Sequence, residues 1–293
     1  MNYVDLHVHS LVSDGSMRPE EIAVHAAERG LSAFALTDHD NIAGDAAAWQ
    51  AAADLGLGFL PGMELSVQLR GRKLHIVCLG FAADSPEFLK LYRKVRAGKE
   101  AKIPEIITYI AAKGIPIQKE DVEAYAYGPL DRYAIMRYLV SLHLYDHAQP
   151  LWDNYLDPAV KALGLSSAIE AEEALPLIHA AGGVTSLAHF HKRIGLKGLT
   201  RTEQEQAVRD LQGLGLDGME AWYPNYSEED RAFAAYLIGK YHLLSTAGTD
   251  YHGANRPEIE LGSGLAAENA IPYDIFGGVA ARVRRVLLPA CDA

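Results

Sequence analysis

Short apolar runs alternate with longer segments of helical periodicity along this chain, and several of the apolar runs end on histidine or a carboxylate. In the opening run, Tyr3-Val4-Asp5-Leu6-His7-Val8-His9, residues two apart share one face of an extended segment. His7 and His9 therefore point the same way, from a strand whose apolar residues are fit for burial. Ser13-Asp14-Gly15-Ser16 follows. Arg18-Pro19-Glu20-Glu21 then starts a helix with proline and acids in its first turn, and Gly30 ends it. The next run, Ala33 to Leu36, closes on Thr37-Asp38-His39-Asp40. An Ala-rich helix from about Gly44 to Leu55 leads into Gly58-Phe59-Leu60-Pro61-Gly62-Met63-Glu64, a strand that delivers a carboxylate. Strands alternating with helices in this way predict a parallel sheet, open or closed into a barrel.

The fourth run breaks the pattern. Leu65 to Leu69 and Lys73 to Leu79 flank Arg70-Gly71-Arg72, which reads as a hairpin turn. Symmetric pairing about Gly71 would set His75 opposite Val67 and within reach of the sheet end that carries Glu64. From about Ser85 to Ser166 the chain is helical in texture, punctuated by Gly114-Ile115-Pro116, Gly128-Pro129 and Asp157-Pro158. This predicts an inserted helical subdomain, residues 85–166, between two parts of one α/β unit, 1–84 and 167–293. The alternation resumes with a helix through Ala174 and Ile178, the strand Gly183 to His189 and a charged helix from about Glu203 to Leu214. The strand Asp217 to Tyr223, a helix from about Glu228 to Tyr241, and Leu243 to Gly253 complete it, for about seven barrel strands.

A chain of 293 residues, 49% hydrophobic, holds enough for a substantial core. A net charge of -11 and a pI near 5.5 argue against a long nucleic acid as ligand, since neutralising a phosphate backbone takes clustered Lys and Arg. The two cysteines, Cys78 and Cys291, support neither a disulfide framework nor a thiolate metal site. Cys78 reads as a buried strand residue and Cys291 as part of a tail. The opening residues carry no basic leader and no later segment reaches the length of a membrane span, so the expectation is a soluble cytoplasmic protein with no membrane partner. Protein partners are not indicated.

Nine potential ligands gather where strands end: His7, His9, Asp14, His39, Glu64, His75, His189, Asp250 and His252. In parallel α/β architectures the carboxyl ends of the strands converge on one face. Three to four protein ligands serve one ion, so nine imply two or three ions with Glu64 or Asp250 bridging. Imidazole and carboxylate without thiolate suit Zn, Mn or Fe. The remaining histidines, His25, His143, His147, His179 and His242, fall in helical stretches and read as structural or surface residues. Trp222 and Tyr223 read equally as stacking surfaces for a base or as core aromatics.

Asp5-Leu6-His7-Val8-His9-Ser10 with Ser13-Asp14-Gly15, Thr37-Asp38-His39-Asp40, Gly62-Met63-Glu64-Leu65-Ser66, His75, Ala188-His189 and Gly248-Thr249-Asp250-Tyr251-His252-Gly253 resemble the PHP (polymerase and histidinol phosphatase) family along the whole chain. The resemblance is closest to its stand-alone phosphoesterases. It implies a distorted seven-stranded β/α barrel with the helical insertion as a substrate cap, and a trinuclear site. Carried over, one metal would take His7, His9, Glu64 and Asp250, a second Asp14, His39 and His252, and a third Glu64, His75 and His189. It further implies a phosphoesterase acting on a small phosphorylated metabolite, a nucleotide or sugar phosphate. The bond could be a monoester or a cyclic diester, attacked by a metal-bridging hydroxide.

Many relatives carry Arg-Pro-His-Phe-Ala-Arg in the insertion and Ala-His-Pro-Gly-Arg after the late strand. Here the first reads Arg132-Tyr133-Ala134-Ile135-Met136-Arg137 and the second Ala188-His189-Phe190-His191-Lys192-Arg193. Arg132, Lys192 and Arg193 are the candidate phosphate-binding cations. Asp250 and His252 are candidates for direct participation in catalysis, and His191 and His252 for proton donor to the leaving group. The same ions polarise carbonyls, so a metallohydrolase of carbon-nitrogen or carbon-oxygen bonds is the alternative, and a non-catalytic metal-binding regulatory module the third.

Overall fold

The structure is a computed structural model that describes residues 3–145, 148–165, 168–266 and 270–289; His147 and Cys291 lie outside the described residues. The chain opens with β1 (Tyr3–Asp5), α1 (Pro19–Glu28), β2 (Leu31–Leu36), α2 (Asp45–Asp54), β3 (Gly58–Leu69) and β4 (Arg72–Leu79). Helices follow: α3 (Pro86–Glu100), α4 (Ile103–Ala111), α5 (Lys119–Glu123), α6 (Arg132–Ser141) and α7 (Gln149–Leu151). A π-helical turn over Trp152–Leu156 leads into α8 (Asp157–Ala162). After β5 (Ile169–Glu170) come α9 (Ala171–Ala180), β6 (Val184–Leu187), α10 (Arg201–Gly213), β7 (Gly218–Trp222), α11 (Glu228–Tyr241), β8 (Leu244–Ala247) and α12 (Asp274–Ala280).

The sheet runs β1-β2-β3-β4-β6-β7-β8, with the two-residue β5 paired to β3 off this path. The α/β class and the seven strands of the main path are those expected from the sequence, and β5 is an eighth. β4 is antiparallel to both its neighbours, and the other pairs are parallel. No continuous ladder joins β8 to β1 among the described residues. Single bonds draw those edges together: Leu6 N to Ala247 O at 3.2 Å and His9 N to Tyr251 O at 2.9 Å. The barrel is thus distorted and incompletely laddered, as befits a path with one strand reversed.

The hairpin corrects one register. His75 pairs with Ser66, not Val67, because Arg70 and Gly71 (φ 51° and 78°) form a two-residue turn that aligns Leu69 with Arg72. His75 therefore lies two residues along from Glu64 on the paired strand.

Phe88, Leu91 and Val95 of α3 belong to the same apolar cluster as Met63, Ile76 and Leu187 of the sheet. Residues from Ile103 to Ala159 bury a cluster of their own around Ile106, Ile110, Ile135 and Leu139. Arg137 ties these helices to the barrel, its guanidinium donating to Leu11 O at 2.6 Å, Ser13 O at 2.9 Å and Tyr125 O at 2.8 Å. Arg96 donates to Asp131, the N-cap of α6, at 3.0 Å. Hydrogen bonds from a charged donor contribute about 1.5–3 kcal/mol. Arg137→Ala should lower the unfolding free energy by about 2 kcal/mol, with Arg137→Lys between the two. Denaturant unfolding midpoints check this, and an unchanged midpoint would mean that the helices dock by apolar contact alone.

Candidate metal centre

Each of the nine expected ligands reaches one buried cluster, and the local sequence shows how. Asp5 accepts from His7 N (3.2 Å), Thr249 N (3.0 Å), Thr249 Oγ1 (2.6 Å) and Gly262 N (2.9 Å), drawing the ends of β1 and β8 together. At that crossing a Cβ on Gly248 would lie 2.2 Å from His7 Cβ, so only glycine lets the two backbones approach. Asp38 accepts from the amides and hydroxyls of both Ser10 and Ser13, at 2.5–3.1 Å, and so sets the loop that presents Asp14. Asp40 accepts from Ser66 N at 2.7 Å and from Lys99 at 2.6 Å. Asp40, His189 and Asp250 hold left-handed backbone (φ 51°, 25° and 57°), a strain that the surrounding bonds must sustain.

Glu64 stands at the centre and is fully buried. One carboxylate oxygen lies 2.7 Å from His75 and 2.8 Å from His189; the other lies 2.9 Å from His39, 3.3 Å from His9 and 3.4 Å from His7. Ligand atoms of His7, His9, Glu64 and Asp250 lie within 4.8 Å of one another, as do those of His9, Asp14, His39 and His252, and those of His39, Glu64 and His75. The first group is the first expected set, the second is the second expected set with His9 added, and the third has His39 where His189 was expected; His189 reaches Glu64 at 2.8 Å but does not join that group.

The donor set fits transition ions. His7 Nε2, His9 Nε2, Asp14 Oδ1, His39 Nδ1, Glu64 Oε2, His75 Nδ1 and His252 Nε2 are buried without a hydrogen-bond partner. Leaving so many polar atoms unsatisfied is costly unless cations satisfy them together. Electrostatics point the same way. Burial pushes the Glu64 carboxyl up, but His75, His39 and His7 outweigh it and hold it well below the carboxylate range. Burial pushes the His9 ring down, yet bonds to Asp250 and Glu64 carry it up to about 9. The carboxylates thus draw protons onto His9 where cations would otherwise sit.

A second layer surrounds the ligands. Glu220 bonds His7 Nδ1 at 2.7 Å and accepts from His189 N at 2.5 Å, orienting both. Asp250 accepts from Tyr223 at 2.6 Å, Arg256 at 2.6 Å and Lys192 at 3.2 Å. His252 Nδ1 bonds Asp250 O at 2.6 Å while its Nε2 faces Asp14 at 3.3 Å. Its Nε2, which has no hydrogen-bond partner, is thus turned toward the acid of its own group. Sequence reasoning missed Glu220, although the apolar run of β7 carries that carboxylate as β3 carries Glu64. Arg256 lies in irregular chain with no signal of its own. Tyr223 is buried and its hydroxyl serves Asp250, so it is no exposed stacking surface, and Trp222 packs against the barrel core.

The centre opens into a cavity of about 430 Å³ lined by Arg132, Tyr133, Trp152, His191, Lys192 and Arg256, among others. Tyr133 stacks on His39, centroids 5.6 Å apart and planes 5° off parallel. Arg132 lies over the Trp152 ring and 3.4 Å from Asp157. Arg193 is mostly exposed and 3.7 Å from Asp157. Burial and Lys192 push the His191 ring down to about 4, and the ring sits against Tyr223 and Tyr226.

A family model described as the PHP domain matches residues 5–160. The chain is 31% identical over 248 residues to a 5′-3′ exoribonuclease of Haemophilus influenzae, covering 85% of this chain and 89% of that protein. It is 29% identical over 264 residues to a 3′,5′-nucleoside bisphosphate phosphatase of Chromobacterium violaceum, covering 89% and 91%. In fold it is similar to a crystal structure described as a metal-dependent phosphoesterase from Bifidobacterium adolescentis, with TM-score 0.81, 24% identity and 97% of each chain covered.

Two outcomes test this geometry. Glu64→Gln should lower bound metal by more than one ion per chain, since a neutral amide cannot hold adjacent cations together; elemental analysis reads this, and loss of a single ion would make Glu64 a terminal ligand. Gly248→Ala should destabilise the fold by about 1–3 kcal/mol through overpacking against His7. Wild-type stability in that variant, measured by thermal unfolding with metal removed, would contradict the close approach.

Proposed function

The chain belongs to the PHP domain family and is a metal-dependent phosphoric ester hydrolase, and on that premise we propose that its substrate is a small nucleotide bearing a second phosphate. The observation that carries the reading is the cluster of nine ligands around Glu64, at the floor of a cavity whose wall supplies cations and aromatic rings.

The nine ligands would hold two to three divalent ions of the Zn, Mn or Fe type. Uncatalysed phosphate-monoester hydrolysis is slow enough that enzymes supply accelerations of up to ~10²¹, whereas one general acid or base supplies ~10²–10⁴. When bound, such ions supply Lewis acidity and bring the pKa of water to about 7. The chain's own residues do the rest. Glu220 keeps His7 in one tautomer and holds the turn at His189. Tyr223, Lys192 and Arg256 fix Asp250. Arg132, at the mouth, is placed to bond a phosphate, and the half-buried Trp152 beside it offers a ring surface to a base. Residues 85–166 act as a substrate cap in this reading, supported from Ile103 to Ala159 by a separate apolar cluster and by the hold of Arg137 on the loop after β1, while α3 packs with the sheet. Monoester and cyclic diester both suit such a centre. Among the described residues no helix is long and apolar enough to cross a membrane.

Metal-loaded protein should release inorganic phosphate from a nucleoside 3′,5′-bisphosphate faster than from a sugar phosphate, a cyclic phosphate or an amide, and chelation should abolish the release. Amine without phosphate would overturn the reading in favour of carbon-nitrogen hydrolysis. Arg132→Ala should lower kcat/KM for the bisphosphate by about tenfold to a hundredfold, sparing a simple aryl phosphate and metal content. Equal losses on both substrates would place Arg132 on the reacting phosphate.

A further inference from the structure

A second concavity leaves the metal cavity past Arg132. A groove of about 700 Å³ shares Ser66, His75, Arg132, Asp157 and Arg193 with the first cavity, then runs between the β3-β4 hairpin and the helices. Lys73, Lys99 and Lys161 line it, and Lys102 joins Lys73, Lys99 and Arg132 around a side pocket of about 40 Å³. Six cations, Lys73, Lys99, Lys102, Arg132, Lys161 and Arg193, therefore face two acids, Asp153 and Asp157, in a chain of net charge -11. Lys99 is met by Asp40 and both arginines approach Asp157. Lys73 and Lys161 make no ion pair within 4.0 Å among the described residues. Burial, with Arg132 and Lys99 nearby, pushes the Lys73 ammonium down, and burial with Lys99 and Lys73 does the same to Lys102. Lys73 and Lys161 thus add positive charge beside cations that Asp40 and Asp157 already meet.

We infer that this groove is a subsite for substrate phosphates beyond the one hydrolysed. The inference rests on the phosphoesterase reading above and deepens it. The metal centre has room for the scissile phosphate, and the groove is where the rest of a polyanionic substrate leaves it. The source of the further phosphate is either the same nucleoside or the next nucleotide of a chain, and both present the same chemistry. Net charge argued against a long nucleic acid, but it averages over the surface, and the groove is locally cationic.

The test is the Lys73→Ala/Lys161→Ala double variant of metal-loaded enzyme, assayed on a nucleoside 5′-monophosphate, a nucleoside 3′,5′-bisphosphate and a 5′-phosphorylated tetraribonucleotide. KM should rise roughly tenfold for the substrates that reach the groove, with kcat and the monophosphate unchanged. The salt dependence of log KM for the tetranucleotide should flatten by about 0.7 per lost contact. A rise on both bisphosphate and tetranucleotide means the groove takes the nucleoside's own second phosphate; a rise on the tetranucleotide alone means it takes the following nucleotides. Unchanged KM on all three, or equal rises, would overturn the inference while leaving phosphate release intact. Should wild type release no phosphate from any substrate, the functional reading fails, and fluorescence anisotropy of a labelled tetraribonucleotide still reads the groove. Binding that is unaffected by the two lysines would then overturn the inference as well.

Discussion

One buried carboxylate organises this molecule. Glu64 has no exposed surface and stands within 3.4 Å of five imidazoles that arrive from β4 and from the segments after β1, β2 and β6. A charge so placed loses its hydration, and unpaired it would neutralise or unfold the site. The four segments that carry these rings must therefore lie where they can present them to that carboxylate. The distortion of the barrel follows from this demand as much as from packing. β4 runs antiparallel to its neighbours, and its early residue His75 reaches the same end of the sheet that the parallel strands reach with their last residues.

Holding the ring of ligands takes a second tier of charged groups that never face the cavity floor. Asp5, Asp38 and Asp40 are buried and bonded to amides, hydroxyls and Lys99, and each fixes a loop carrying a ligand. Burial pushes the Asp5 carboxyl up to about 6 despite the bonds it accepts from Thr249, Gly262 and His7. Such groups add little net stability, since desolvation cancels much of what their bonds return. Their contribution is geometric: a ligand displaced by an ångström no longer shares an ion with its neighbours.

The first tier was legible in the sequence and the second only in part. Strand-end histidines and carboxylates announce themselves, because an apolar run that ends on His7 and His9, or carries Glu64, has no packing reason to do so. Glu220 carries the same signal, but it bonds His7 and the amide of His189 from behind the cluster, a role that residue type in a strand does not announce. The hairpin was legible as a hairpin, but its register depended on both Arg70 and Gly71 adopting left-handed backbone, which residue identity at Gly71 alone does not specify. Arg256 and the basic groove were illegible for a different reason. Their residues come from irregular chain, a strand and three separated helical stretches, and only the docking of the helices on the hairpin brings them together.

Charge then sets an order on assembly. Among the nine candidate ligands Asp14, Glu64 and Asp250 are acids, with Glu220 behind His7, and the protons they draw onto His7 and His9 offset that charge only in part. Lys192 and Arg256 do not cancel this, because both are already committed to Asp250. Two divalent ions would outweigh the three ligand carboxylates and three would leave the floor strongly positive, which is the condition for a phosphate to settle there. Metal would therefore have to be in place before a phosphate settles on the floor. The cations of Arg132 and the groove stand outside the ligand cluster, so they can attract the substrate's other anionic groups whether or not the floor is filled. Recruitment and catalysis are thereby separated in space: the groove governs which polyanions dwell at the mouth, and the ligand ring governs which of their phosphates can descend to react.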